Sequence, residues 1–189
     1  LTLITALGIG FTYPLAPTQI LWINLVTDGV MDISLATEPG HEDMMKQPPV
    51  GKKERILNKS ILPNLLIIVP IMVTLALLVF NHYQHENIEK ARTGAFLVVA
   101  MTQVFNAFNL RSLRKSVFEI GFFRNKWLML AFGASIILQI AAIKLPFMQS
   151  LFSFRDLAWM DILVITLLSS LVFVFGELYK LIRRRVTVQ

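Results

Sequence analysis

The chain has 189 residues, 55% of them apolar and only 16% charged, with a mean hydropathy of +0.63. That balance excludes a disordered chain and argues against an ordinary water-soluble domain. The absence of Cys excludes disulfides, Cys-based zinc sites and thiol chemistry, and the net charge of +6 is arranged for a membrane rather than for nucleic acid.

The first eleven residues (LTLITALGIGF) are too short to span a bilayer, which takes about 20 apolar residues. They read as the last turns of a helix, and the chain as a fragment of a longer one. The charged leader of a signal peptide is missing. Pro14 and Pro17 make the next connection tight. An apolar run from Thr18 to Thr37 follows, interrupted by Asn24, Thr27, Asp28 and Asp32. Residues 38–59 are polar and punctuated by Pro and Gly, hence a loop. Ile61 to Phe80 is a clean span with Pro70 inside it, an expected kink. Residues 81–92 read as a polar loop, Thr93 to Leu110 as the next span, and 111–126 as a basic loop. Trp127 to Ile143 and Ala158 to Tyr179 complete the set. The expected fold class is an all-α membrane protein, a helical bundle of five full transmembrane helices plus a partial N-terminal helix.

Basic residues alternate between loops. The 38–59 loop, the 111–126 loop and the tail from Lys180 hold 14 of the 18 Lys and Arg; Lys90, Arg92, Lys144 and Arg155 make up the rest. The positive-inside rule then makes the two loops and the C-terminus cytoplasmic. Short loops and the brief tail lead to the expectation of a prokaryotic plasma membrane.

A carboxylate at the centre of a membrane helix costs about 2.5–3.5 kcal/mol on insertion scales, and such residues usually mark pathways. Asn24, Asp28 and Asp32 recur at i, i+4 and i+8, one drifting helical face, with Thr27 beside Asp28. Carboxylate, amide and hydroxyl oxygens suit a hard cation. Gly29 weakens the helix at that point and is expected to free backbone carbonyls, a device of discontinuous membrane helices. The alternative is that these groups only hydrogen-bond neighbouring helices. Gln103, Asn106 and Asn109 form a second polar strip, open to the same two readings. Glu177 and Lys180 suggest an interfacial ion pair. His82 and His85 read as a solvated turn and Trp22 as packing.

Asn24-Leu25-Val26-Thr27-Asp28-Gly29 resembles the sixth transmembrane helix of P-type cation pumps, above all the calcium-ATPase branch. The stretch from Glu38 to Pro49 resembles that family's next loop, Phe105 to Asn109 its eighth helix, and Gly176 to Lys180 the end of its tenth. The resemblance runs in order over the whole chain, residues 1–189, from the end of helix five through helix ten. It implies the ion-binding membrane part of an ATP-driven pump exporting calcium. Asn24, Thr27 and Asp28 would be cation ligands, with Asp28 central; Asp32, Gln103 and Asn106 complete the candidate set. Gln103 stands where the reticulum pumps carry a glutamate, so the resemblance implies a single-ion site; Asp32, where they carry a small residue, is a second departure that would restore the lost charge or shift selectivity. Mg2+, ATP and the phosphorylated D-K-T-G-T motif would belong to upstream cytoplasmic domains of the same polypeptide, and this fragment would not hydrolyse ATP alone. The partners implied are those domains and the lipid bilayer, with no nucleic acid. Pumps for sodium, protons or manganese, or a non-enzymatic channel or carrier module, remain the alternatives.

Overall fold

The computed structural model describes residues 1–40, 61–113 and 115–187, with side chains described through residue 183. The 41–60 part of the first basic loop, Arg114 and the side chains of Arg184 and Arg185 lie outside the described residues. The described chain is all helical. In order it forms α1 (Thr2–Gly8), α2 (Pro17–Trp22), a π-helical turn (Ile23–Asp28) and α3 (Gly29–Ala36). These are followed by α4 (Leu62–Gln84), α5 (Ile88–Leu110), α6 (Val117–Ile120), α7 (Lys126–Lys144), α8 (Pro146–Phe152) and α9 (Trp159–Thr187).

Among the described residues four helices are long and apolar enough to cross a membrane: Leu62–Gln84, Ile88–Leu110, Lys126–Lys144 and Trp159–Arg183. The run expected as one further span is helical throughout, but it divides into α2, the π turn and α3.

Local chemistry fixes the helix starts. Pro17 and Pro146 open α2 and α8, where a missing N–H costs nothing. Asn87 caps α5, its side chain accepting from Glu89 N at 2.8 Å and Lys90 N at 3.1 Å. This cap shrinks the expected 81–92 loop to residues 85–87: α4 runs on to Gln84 and α5 begins at Ile88, both helices projecting past their apolar stretches. The link between the last two spans likewise contains α8, closed at Ser153 in a left-handed conformation (φ 55°).

α5 is the central helix, the most buried of the four, packed against α4, α7, α9 and the π turn. Two glycines allow close approach. A Cβ at Gly94 would meet Val79 Cγ1 at 2.9 Å, and one at Gly176 would run into the side-chain amide of Asn109. Small residues at such crossings let membrane helices pack backbone to backbone. Apolar side chains fill the spaces between helices in two clusters. One gathers Phe80, Phe96 and Met101 around α4, α5 and α9; the other places Met31 among Val104, Phe108, Leu128 and Ala131.

Polar contacts gather at the two ends of the bundle. At one end Arg92 Nε donates to Tyr13 O (3.0 Å), Arg155 N to Thr93 Oγ1 (2.8 Å), and Lys144 Nζ to Asp156 Oδ1 (2.7 Å). At the other, Glu38 meets Arg111, Arg124 donates to Gly40 O (3.1 Å), and Ser116 meets Glu177.

Candidate cation site

The candidate site is built on the segment from Pro17 to Ala36. Ile23, Val26 and Thr27 are β-branched and poor helix formers, and here the helix widens into a π turn over Ile23–Asp28. π turns inside α-helices are short and frequently mark functional positions. The break therefore differs from the expected one. Gly29 keeps ordinary helical dihedrals (φ −57°, ψ −46°) and opens α3. The irregularity comes from widening ahead of Gly29, not from unwinding at it.

The structure divides the sequence-derived set by exposure. Thr27 is fully buried, Asp28 half-buried, and Asn24 and Asp32 exposed. Among the described residues no Lys or Arg pairs with Asp28; the charge that bears on it is Asp32, one turn on. Thr27 reaches the seam with α7, where its hydroxyl accepts a hydrogen bond from Gln139 Nε2 at 2.8 Å. The other end of the same amide, Gln139 Oε1, accepts from Trp22 Nε1 at 3.0 Å. Ser135, one turn earlier on α7, donates to Met31 Sδ at 3.6 Å.

The second strip, on α5, lies on a helix that packs against both the π turn and α3. Gln103 and Asn106 are half-buried. The Gln103 Oε1 atom is buried with no hydrogen-bond partner, an uncompensated acceptor of the kind that buried polar groups rarely leave. Asn106 Oδ1 accepts from Asn109 Nδ2 (3.2 Å), and that same amide donates to Val172 O (3.0 Å), tying α5 to α9. Asn109 is thus used in helix packing. No hydrogen bond among the described residues joins Gln103 or Asn106 to Asn24, Thr27, Asp28 or Asp32.

Among the described residues no three His, Cys, Asp or Glu side chains cluster. A cation here would therefore be held by a mixed set of carboxylate, amide, hydroxyl and carbonyl oxygens, the donor set of a hard ion. His82 and His85 are exposed at the end of α4, His82 edge-on to Tyr83 at 4.7 Å.

Charges at the Glu38 end behave differently. Arg111 grips Glu38 with two nitrogens, Nε at 3.0 Å from each oxygen and Nη2 at 2.8 Å from Oε1, while Nη1 donates to Gly121 O and Phe122 O. Asn125 Nδ2 adds Ser34 O at 3.1 Å and Glu38 Oε2 at 2.8 Å. Glu177 and Lys180 do form the expected ion pair, at 2.8 Å, and it is buried within the protein: their side chains are 7% and 2% exposed. The reason is a neighbour far away in sequence. Ser116 and Val117 N, at the start of α6, both donate to Glu177 Oε2 and cover it.

Trp22, expected to serve in packing alone, also donates a hydrogen bond, and Gln139, Arg111 and Asn125 belong to no motif. Their one signal in the sequence was a polar residue inside or beside an apolar run: Ser135 and Gln139 stand at i, i+4 in an otherwise greasy helix.

Comparison with known proteins bears on this geometry. The family model for the C-terminus of cation-transporting ATPases matches residues 12–182. Calcium-transporting ATPase 1 of Yarrowia lipolytica is 38% identical over 173 residues, covering 90% of this chain and 19% of the relative. Calcium-transporting ATPase type 2C member 2 of Rattus norvegicus is 36% identical over 171 residues, 89% of this chain and 18% of the relative. Calcium-transporting ATPase 1 of Bacillus cereus is 31% identical over 202 residues, 97% of this chain and 23% of the relative. The chain spans about a fifth of the length of the curated relatives it matches.

Proposed function

The chain belongs to the P-type cation-transporting ATPases, as part of their C-terminal membrane region, and from that premise we propose that it forms the ion-binding half of an ATP-driven calcium export pump. The observation that carries the reading is Asp28: a half-buried carboxylate at the end of a π turn in an apolar helical run, with no basic partner among the described residues. An ionisable group so placed is a pathway residue by default. The relatives named above are calcium-transporting ATPases, which supports calcium as the cargo.

In this reading Asn24, Thr27 and Asp28 supply the central oxygens, and Asp32, Gln103 and Asn106 complete the shell. The free Gln103 Oε1 favours its inclusion. A neutral amide there, in place of a second acid, favours one calcium ion per cycle. The segment from Pro17 to Ala36 serves as a fifth crossing, made discontinuous by the π turn, so that side chains and backbone can turn toward an ion at mid-depth. The basic loops and the C-terminus face the cytoplasm. Upstream domains of the same polypeptide bind ATP with Mg2+ and are phosphorylated; their rearrangement alternates the access of Asp28 between the cytoplasm and the far side of the membrane.

ATP hydrolysis by the full-length protein, titrated separately with calcium, manganese, magnesium and sodium, tests the proposal. Calcium should activate without cooperativity. Activation by sodium alone would move the cargo to a monovalent ion, and cooperative calcium activation would require a second site.

A further inference from the structure

Gln139 on α7 holds both ends of the π turn with a single side chain. Its Oε1 accepts from Trp22 Nε1 at 3.0 Å and its Nε2 donates to Thr27 Oγ1 at 2.8 Å. Gln139 and Thr27 are fully buried and Trp22 nearly so. Trp22 and Thr27 lie five positions apart. In an α-helix of 3.6 residues per turn, side chains so spaced are rotated by about 140° and leave on different faces. The i→i+5 repeat of a π turn brings them back toward one face, where one amide can reach both. The clamp and the π turn therefore require each other. Losing the turn would separate the two partners of Gln139, and losing Gln139 would leave buried polar groups on Trp22 and Thr27 unpaired.

We propose that Gln139 is a positioning residue for the cation site: it pins the π turn in register, fixes the Thr27 hydroxyl oxygen, and so sets how Asp28, the next residue, is presented. The inference rests on the reading of Thr27 and Asp28 as cation ligands. Its chemistry is compatible with that role. The Thr27 oxygen has two lone pairs; the bond from Gln139 takes one and leaves the other for a cation. Gln139 itself touches no ion. It acts through Thr27.

The test uses the full-length pump in membranes and two readouts: the calcium dependence of phosphorylation from ATP, and phosphorylation by inorganic phosphate without calcium, which reports an intact fold. Gln139→Leu, which removes both bonds, should raise the half-saturating calcium concentration about tenfold, within the range that lost buried hydrogen bonds carry, with phosphorylation by inorganic phosphate unchanged. Trp22→Phe, which loses only the outer bond, should shift it in the same direction by less. Thr27→Val combined with Gln139→Leu should be no worse than Thr27→Val alone, because both act through one oxygen. An unchanged calcium dependence in Gln139→Leu, or additive effects with Thr27→Val, overturns the proposal. If Gln139→Leu also loses phosphorylation by inorganic phosphate, Trp22→Phe decides: a raised calcium requirement supports the clamp, and a wild-type one overturns it. Asp28→Asn measured alongside separates the two layers. A wild-type response in Asp28→Asn defeats the site reading itself, whereas its loss together with a silent Gln139→Leu defeats only the positioning role.

Discussion

Asp28 and Glu38 lie on one stretch of chain, at the two ends of α3, and the protein treats their carboxylates in opposite ways. Glu38 is gripped by Arg111, whose side chain is fully buried, and by Asn125, and Arg111 spends its remaining donors on Gly121 O and Phe122 O. Asp28 is half-buried with no cationic partner among the described residues, and the charge that bears on it is another carboxylate, Asp32. The buried pair Glu177–Lys180 follows the Glu38 pattern, satisfied by its own partner and by Ser116. A paired buried charge joins elements, and removing one member leaves the other stranded. In the function proposed above, the unpaired carboxylate of Asp28 is the one that takes a cation, so that structural and transport roles divide along a single stretch of chain.

The largest expected effect breaks the comparison on the transport side. Asp28→Asn in the full-length pump should abolish calcium-dependent phosphorylation from ATP while expression stays intact; a wild-type response would put Asp28 among the structural groups. Arg111→Ala tests the other side. It removes the buried guanidinium that faces Glu38 and should destabilise the protein by about 3–5 kcal/mol, read as a fall in thermal unfolding temperature and in yield, with the calcium affinity of the surviving protein little changed. If stability holds and calcium affinity collapses, the clasp belongs to the site after all.

A smaller effect is expected at the crossing of α5 and α9. Gly176→Ala forces a Cβ into Asn109 and should cost about 1–3 kcal/mol, the usual range for overpacking, measured by the same unfolding assay. The smallest concerns Gln103, whose Oε1 has no hydrogen-bond partner to lose. Gln103→Ala should leave stability unmoved and weaken calcium activation a few-fold. A silent variant would assign Gln103 to helix packing alone.

The uninterrupted spans were legible because a membrane helix must be apolar over its full length, and α4, α5, α7 and α9 lie where the apolar runs put them. The ends were less legible. Residues 81–92 look like a polar loop, yet the Asn87 cap and the extended ends of α4 and α5 make nearly all of it helical. Asp28 stood out by itself, since a carboxylate in hydrocarbon needs a reason. The π turn did not: spacing of i, i+4, i+8 assumes 3.6 residues per turn, and the widening that turns Thr27 into α7 while leaving Asn24 and Asp32 exposed breaks that assumption. The role of Gln139 was hard to read for a related reason. Its importance lies in two partners more than a hundred residues away, and a lone amide in an apolar run does not announce what it will meet.

Equilibrium binding of radioactive calcium to the purified full-length protein, wild type against Asp28→Asn, reaches the central claim without passing through ATP chemistry. Saturable binding of a single ion in the wild type, lost in a variant that still folds, is the result this account predicts. Undiminished binding in the variant would contradict it.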